Sequence, residues 1–318
     1  MKRLLLSVIL SFVTPVCAQE TYPAKSVRLI AAAAPGGNPD VLARMLAAKL
    51  GESFGRPFVV ENLPGAGGVV AAEQVARASP DGHTLMLGDS GALAINVAMN
   101  PRLTYHPLKD FTLITALAAV PTVLVLHPAV EAKTLQDFVS LAKSRQLAYG
   151  SAGNGSIHHL TMAAFLARAG VESMLHVPYK GGSALVAAVL GGEVQSGWSG
   201  IPNVAANIRA GKLRVLCIST GQRSASLPDV PTCAEVGYPG FEIVTTIGLQ
   251  APAGLSREIG ARLQSAVAKA LRERDIAERM TNLGMELREN GTGHYQRFVR
   301  EDIERFSAAV KTAGVKSD

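Results

Sequence analysis

The stretch Tyr149–His159, which reads YGSAGNGSIHH, lies between a predicted β-strand and a predicted α-helix. Its small and hydroxyl residues predict a loop that leaves backbone N–H groups at the helix start free to bind an anion. A second loop of this character, AAPGGNPD at Ala33–Asp40, also joins a strand-like run to a helix-like run. Two such loops in two halves of one chain indicate a clamp around a small ligand.

The first eighteen residues have the pattern of a secretory signal peptide. Lys2 and Arg3 precede the apolar run Leu4–Val13, and Val16–Ala18 offers a cleavage site. No later stretch reaches about 18 uninterrupted apolar residues. We therefore expect residues 1–18 to be removed during export through the inner membrane, and the mature chain to be periplasmic.

Length and charge restrict the classes of function. The chain has 318 residues, and removal of Lys2 and Arg3 leaves 29 basic against 25 acidic residues. This length suits two domains. The basic residues form no run and are not clustered with aromatic residues, so we expect no nucleic-acid binding, whereas a mild positive charge favours small anions.

Two cysteines, Cys217 and Cys233, follow the signal peptide. Cys217 lies in the apolar strand-like run LRVLCIST, which fits a buried free thiol, and a bridge to Cys233 is the alternative in an oxidising compartment. The pair has the spacing of neither a metal site nor a cysteine nucleophile.

Strand-like and helix-like segments alternate along the first third of the chain. The predicted strands and helices are Ser26–Ala33, Asp40–Leu50, Pro57–Asn62, Val69–Ala78 and His83–Gly88, in the order βαβαβ. Gly51 is expected to end the first helix. This order implies a parallel sheet with helices on its faces.

The same alternation begins again at Pro121. The runs near Val120–Leu124 and Val244–Leu249 lack linker composition and are predicted to be strands that cross twice between the domains as a hinge. Domain 1 is then expected at residues 22–123 plus 246–318, and domain 2 at residues 124–245. Two amphipathic helices, Arg257–Arg272 and His294–Lys311, are expected to pack onto domain 1.

Enzyme and metal signatures are incomplete. Ala92 replaces the second glycine that a GxSxG motif after Gly88 requires, and Val70 replaces the last glycine of GxGxxG. His158 and His159 are adjacent and point about 100° apart on a helix, so they do not suit one metal ion. We predict no catalytic residue, cofactor or metal; His158 either donates a hydrogen bond to the ligand or is structural.

Backbone amides and glycines in the two loops suit the recognition of a carboxylate. In the later loop we expect ligand contacts from Ser151, Ala152, Gly153, Asn154 and Ser156. In the earlier loop Gly36 and Gly37 permit close backbone approach, and Asn38 and Asp40 are either polar neighbours of the ligand or helix N-caps.

Two further candidate positions follow predicted strands, whose carboxyl ends face the ligand crevice in open α/β sheets. Ser90 ends the third strand, beside Asp89, and Tyr179 follows the strand that ends at Pro178. Lys180 either offsets ligand charge or is a solvated surface lysine.

Taken together, the motifs resemble one family over the whole mature length: YPAKSVRLI, PGGNPD, VVENLPGAGG, PDGHTLMLG, LAYGSAGNGSIHHL, VPYKGGSAL, IRAGKLRVL, LPDVPTCAEVG and LQAPAG. The chain resembles the Bug family, the extracytoplasmic solute-binding proteins of tripartite tricarboxylate transporters. The resemblance implies an α/β, type II periplasmic-binding-protein fold with two domains, a two-strand hinge and a ligand cleft. It also implies a small carboxylated solute and delivery to membrane permease subunits, and we expect a monomer.

The resemblance assigns ligand contacts to both loops and to the strand ends. These are Ala34, Pro35, Gly36, Gly37, Asn38 and Asp40 in the first loop, Ser151–Ser156 in the second, Ser90, and Tyr179. An orphan extracytoplasmic sensor component, which reports its ligand to a membrane receptor, is the alternative function.

Two departures from the family pattern bear on the ligand. The first loop has Ala32, Ala33 and Ala34 where the family has a bulkier residue, which predicts a wider pocket. Ser199 stands where the family commonly has an aspartate after an aromatic residue, so an acceptor for a ligand amine is missing. We therefore expect a ligand without an α-ammonium group, such as a di- or tricarboxylate or an aromatic acid.

Overall fold

The computed structural model describes residues 22–172, 174–288 and 291–314. The predicted signal peptide, residues 1–18, lies outside these described residues. In the part of the chain that is described, no helix has both the length and the apolar character that crossing a membrane requires.

The first α/β unit has a small parallel sheet with helices on its faces. Its elements are β1 (Val27–Ala31), α1 (Asn38–Phe54), β2 (Phe58–Asn62), α2 (Val69–Ala76), β3 (Thr84–Asp89) and α3 (Asn96–Met99). β1 lies between β2 and β3 and is parallel to both, as the βαβαβ pattern predicts. A 3-10 turn (Ala66–Gly68) precedes α2, and a π-helical turn (Gly91–Ile95) precedes α3.

The second unit follows a long crossing strand, and the chain then returns to the first. The remaining elements are β4 (Phe111–Leu126), α4 (Leu135–Ser144), β5 (Ala148–Ser151), α5 (Ile157–Ala169), β6 (Leu175–Pro178), α6 (Gly182–Leu190), β7 (Ser196–Gly200), α7 (Ile201–Arg209), β8 (Arg214–Ile218), β9 (Val244–Pro252), α8 (Arg257–Arg272), α9 (Arg274–Asn282), β10 (Glu286–Leu287) and α10 (Thr292–Ala313). β5 is parallel to β6 and β7. The predicted alternation is confirmed in both units.

The predicted end of the first helix at Gly51 is wrong. α1 continues to Phe54 and ends at Gly55, whose φ of 66° is the left-handed conformation that glycine adopts readily at a helix end. The extra turn brings the ring of Phe54 to 5.8 Å from that of Tyr22 and 5.6 Å from that of Phe58. Aromatic packing therefore extends the helix past a residue of low helix propensity.

β4 is shared by both sheets. Its first part, Phe111–Pro121, pairs antiparallel with β9, and its last part, Thr122–Leu126, pairs antiparallel with β7. The partner changes at Pro121, which has no N–H to donate to a strand ladder. β4 and β9 are the two crossing strands predicted from the sequence, but β4 begins at Phe111, well before the predicted crossing.

The C-terminal helix α10 packs against both units. Tyr295 and Val299, near its start, belong to the apolar cluster of the first unit. Phe306 and Ala309, near its end, belong to the cluster of the second unit that contains Phe165. Only the first half of this helix thus follows the expected packing onto domain 1, and the domain boundaries near residues 123 and 246 remain predictions.

Three stacked rings hold the start of α5 against the second sheet. Tyr149 of β5 and His176 of β6 are register partners, and their ring centroids lie 4.9 Å apart. The ring of His159, on the first turn of α5, stacks 3.9 Å from that of His176. Nδ1 of His159 accepts a hydrogen bond from the N–H of Gly155 (3.1 Å), and Nε2 of His176 lies 2.7 Å from Oγ of Ser151. The stack therefore fixes the loop that precedes α5.

We expect the stability of the protein to rise with pH between about pH 4 and 6.5. Burial, with a contribution from His176, lowers the pKa of His159 to about 4. The unfolded chain, with a histidine pKa of about 6.5, then binds more protons than the folded chain between these pH values. The contribution of His159 to the free energy of unfolding is therefore fully present above about pH 6.5 and is lost as the pH falls toward about 4. Urea denaturation at pH 5 and pH 7.5 should differ by about 1–3 kcal/mol.

His159→Gln should reduce this pH dependence, because the residue no longer titrates. His106→Gln, at an exposed histidine outside the ring stack, is the matched control for the loss of a histidine. An unchanged slope in His159→Gln would show that the stacked histidine does not set the pH response.

Candidate functional site

A cavity of about 800 Å³ lies between the two units. From the first unit and its connections, the lining residues are Ala32, Ala33, Ala34, Pro64, Gly65, Ala66, Gly67, Gly68, Asp89, Gly91, Ile95, Asn96, Met99, Asn100 and Arg102. From the second unit they are Ala152, Asn154, Gly155, Ser156, Ile157 and His158, and Thr245 of β9 completes the wall. Both predicted loops therefore face one space.

The second-unit wall presents unpaired backbone donors. Among the described residues, the N–H groups of Ala152, Asn154, Ile157 and His158 have no hydrogen-bond partner. All four residues line the cavity. Two of these groups belong to the first turn of α5, where the helix leaves its N–H groups unpaired and its dipole favours negative charge. The unpaired N–H groups of this wall can donate hydrogen bonds to an anion.

The hydroxyl groups of this loop hold its shape. Oγ of Ser156 caps α5 by accepting from the N–H of His159 (3.4 Å), and it donates to the carbonyl of Gly153 (2.7 Å). Oγ of Ser151 is fully buried, accepts from the N–H of Gly153 (3.1 Å) and contacts His176. Gly153 and Gly155 have φ values of 122° and 67°, which other residues adopt only with strain.

The first-unit loop is anchored from behind by Asp40. Its carboxylate accepts hydrogen bonds from the N–H of Gly36 (2.8 Å) and from Nδ2 of Asn62 (2.8 Å), and it forms an ion pair with Arg44 (3.0 Å). Burial opposes ionisation, but these three donors together hold the pKa of Asp40 below its usual value. Ala33 and Ala34 of the anchored loop line the cavity, and their N–H groups have no partner among the described residues.

Five predicted ligand contacts line the cavity: Ala34, Ala152, Asn154, Ser156 and His158. The other predicted positions do not line it: Pro35, Gly36, Gly37, Asn38, Asp40, Ser90, Ser151, Gly153, Tyr179 and Ser199. The phenol of Tyr179 donates to Oε2 of Glu193 (3.2 Å). Ser199 is fully buried in β7, and its hydroxyl has no partner among the described residues.

Ser90 connects three elements outside the cavity. Its Oγ donates to Oδ2 of Asp302 in α10 (2.7 Å) and accepts from the N–H of Thr246 in β9 (2.8 Å). All three residues are buried. The strand ends at Asp89, one residue before the predicted position, and the Ser90 side chain stabilises the junction of β3, β9 and α10.

Several lining residues had no strong signal in the sequence. The segment Pro64–Gly68 belongs to the motif VVENLPGAGG and fails as a dinucleotide motif, but the sequence did not assign it to the ligand site, although it lines the cavity. Gly91 packs against the side chain of Asp89, since a Cβ on Gly91 would lie 2.8 Å from Oδ1 of Asp89. Asn96, Met99 and Arg102 belong to a stretch with one short helix and no clear periodicity.

Met99 touches the opposite wall of the cavity. A Cβ on Gly155 would lie 2.2 Å from both Sδ and Cε of Met99, so this side chain packs directly on the glycine backbone. Met99 therefore connects the first unit to the loop before α5, and the φ of 67° at position 155 favours glycine.

The electrostatics of the cavity favour an anion. Among the described lining residues, Arg102 is the one with a permanent positive charge. Burial raises the pKa of Asp89, and its carboxyl group already accepts from the N–H of Gly91 (2.9 Å). Part of the His158 ring reaches the cavity, but burial lowers its pKa to about 4, and Nδ1 has no partner among the described residues. His158 is thus neutral at pH 7.

Metal binding has no support from side-chain placement. Within residues 22–172, 174–288 and 291–314, no three His, Cys, Asp or Glu side chains are grouped to hold a metal ion. His158 and His159 serve different surroundings, since only His159 joins the ring stack.

Comparison with known proteins gives one consistent result. The family model described as tripartite tricarboxylate transporter family receptor matches residues 42–315. The protein BugT of Bordetella pertussis is 34% identical over 300 residues, which cover 93% of this chain and 92% of that protein.

Solved structures agree in fold and over nearly full length. An R. palustris protein determined with adipate is 33% identical, has a TM-score of 0.84 and is matched over 93% of this chain and 99% of that chain. MatC from Rhodopseudomonas palustris with bound malate is 34% identical, has a TM-score of 0.80 and is matched over 91% and 100% of the two chains. The predicted fold, two α/β domains as in periplasmic binding proteins, is confirmed. The chain belongs to the Bug family of tripartite tricarboxylate transporter receptors.

Proposed function

We propose that this chain is a periplasmic solute-binding protein that captures a small carboxylate between its two units and delivers it to the membrane subunits of a tripartite tricarboxylate transporter. The observation that carries the proposal is the set of four unpaired N–H groups at Ala152, Asn154, Ile157 and His158, all of them residues that line the cavity. No chemical conversion of the solute is part of this proposal.

The unpaired donors suit one carboxylate at the second-unit wall. Hydrogen bonds from N–H groups to an ionised acceptor are shorter and stronger than neutral ones, and a helix start adds a favourable dipole. Because His158 is neutral at pH 7, the amides supply this attraction without a buried positive charge. Two solved relatives were determined with the dicarboxylates adipate and malate.

Arg102 suits a second carboxylate. It lines the cavity from the first unit, across from the start of α5, and its side chain has no partner among the described residues. A dicarboxylate bound between the two walls would then contact both units and stabilise their closed arrangement, since a ligand favours the state in which it makes more contacts.

The cavity lining has few groups that could bind an α-ammonium group. Asp89 does line the cavity, but its carboxyl group is engaged by the backbone N–H of Gly91, and burial raises its pKa. We therefore expect a carboxylic acid to bind more tightly than the corresponding amino acid.

Thermal-shift and calorimetric measurements with paired ligands test this expectation. Succinate, malate, adipate, citrate and benzoate are compared with aspartate and glutamate. A carboxylate at about 100 times its Kd should stabilise the protein by roughly 2.7 kcal/mol, whereas the amino acids should give no shift. Malate and aspartate form the sharpest pair, since they differ in a hydroxyl against an ammonium group.

Tight binding of aspartate or glutamate without binding of any simple carboxylate would contradict the ligand class. No shift with any of these acids would contradict carboxylate capture itself.

Arg102→Gln should weaken dicarboxylate binding. The side chain is exposed, so the loss should be about 1 kcal/mol, or roughly five-fold in Kd, and it should shrink at high salt. Arg209→Gln, at an exposed arginine of α7 away from the cavity, is the matched control and should bind normally. Equal affinity of the Arg102 variant and the wild type would remove Arg102 from the site.

Delivery of the bound carboxylate to the membrane subunits is tested separately, by measuring its uptake into cells. Cells that carry the two membrane subunits should accumulate a labelled carboxylate only when this chain is also exported. Normal binding in vitro with no contribution to uptake would favour the sensor function over transport.

A further inference from the structure

Cys217 and Cys233 lie side by side in the second unit. Their Sγ atoms are 2.8 Å apart, in close contact but farther apart than the about 2.05 Å of a formed disulfide, and both thiols are free in the structure. Both residues are fully buried. They belong to the apolar cluster that also contains Phe138, Trp198 and Phe241.

The backbone holds the two cysteines in this arrangement. Cys217 is in β8, and the next residue, Ile218, donates to the carbonyl of Pro231 (2.9 Å) and accepts from the N–H of Cys233 (3.0 Å). The N–H of Tyr238 donates to the carbonyl of Cys233 (2.8 Å), which fixes the turn on the other side. These main-chain hydrogen bonds hold the segments of the two cysteines side by side.

A reactive role for these thiols does not fit their surroundings. Burial raises the pKa of the Cys217 thiol well above its usual value, and contact with Cys233 raises it further. The thiolate is the form that attacks electrophiles and binds metals, so a buried pair of this kind is inert as a nucleophile. The remaining roles are two packed thiols or a covalent bridge.

We propose that Cys217 and Cys233 form a structural disulfide after export. The two thiols lose two protons and two electrons and join through one S–S bond; a protein or small-molecule disulfide accepts the electrons and becomes two thiols. Formation belongs to folding, because both sulfur atoms are inaccessible in the folded chain. An oxidising compartment supports such bonds, whereas the cytoplasm keeps thiols reduced.

The bridge would close the loop that runs from β8 to the turn before β9. This loop contains the exposed residues Gln222 and Arg223. Its base adjoins the crossing strands, since Ser219 accepts from the N–H of Ile243 (3.0 Å) and lies 2.8 Å from the hydroxyl of Thr122. The disulfide therefore restrains the second-unit end of the hinge.

Alkylation followed by peptide mass spectrometry tests the bridge in the wild-type chain. Protein exported to the periplasm is denatured and treated with iodoacetamide, before or after reduction with dithiothreitol. We expect peptides with Cys217 and Cys233 to be alkylated only after reduction, and to appear linked and lighter by two hydrogen atoms without it. Complete alkylation of both residues without reduction would overturn the proposal.

Melting temperatures separate a bridge from a thiol contact. Wild type unfolded and refolded with reductant should melt roughly 5 °C or more below the oxidised form. Cys217→Ala, Cys233→Ala and the double variant should be insensitive to reductant and resemble one another, because loss of either cysteine removes the whole bridge. Equal melting of wild type with and without reductant would contradict the proposal. No solute is used, so the result is independent of the proposed ligand.

Discussion

The fold depends on one strand that belongs to two sheets. β4 pairs with β9 in the first unit and with β7 in the second, and almost all of its residues are buried. A buried strand is stable only when its main-chain N–H and C=O groups are hydrogen-bonded. The first sheet provides these partners for the first part of β4, and the second sheet provides them for the last part. Pro121 marks the change of partner. The cavity lies beside this junction, with Thr245 of β9 in its wall.

The binding surface uses the backbone where many proteins use charged side chains. The amides at the start of α5 are positioned by the Tyr149–His176–His159 stack, by the Ser156 cap and by two glycines with positive φ. On the other wall the carboxylate of Asp40 holds the first loop in place by accepting a hydrogen bond from the N–H of Gly36. Side chains that the sequence suggests as ligand contacts therefore often support the loops, while unpaired N–H groups belong to neighbouring residues that line the cavity.

The sequence predicts the location of the site better than the direction of its side chains. Both loops were found because a strand–loop–helix junction is a local pattern. The partner of Ser90 is Asp302, which is distant in sequence, and no local pattern reports such a contact. Phe111–Val120 is an apolar run whose periodicity does not separate a strand from a buried helix. The sequence does not predict that Met99 and Arg102 line the cavity, because tertiary packing and not local periodicity brings them there.

The position of α10 adds a third connection between the units. Its first half packs on the first unit through Tyr295, and its last half packs on the second through Phe306. Any rotation that opens the cleft must therefore bend this helix or slide one of these rings over its neighbours. We expect this apolar packing, which lies outside the cleft, to contribute to the stiffness of opening. Receptors with identical cleft residues but different C-terminal helices should thus differ in how fast they release the same solute.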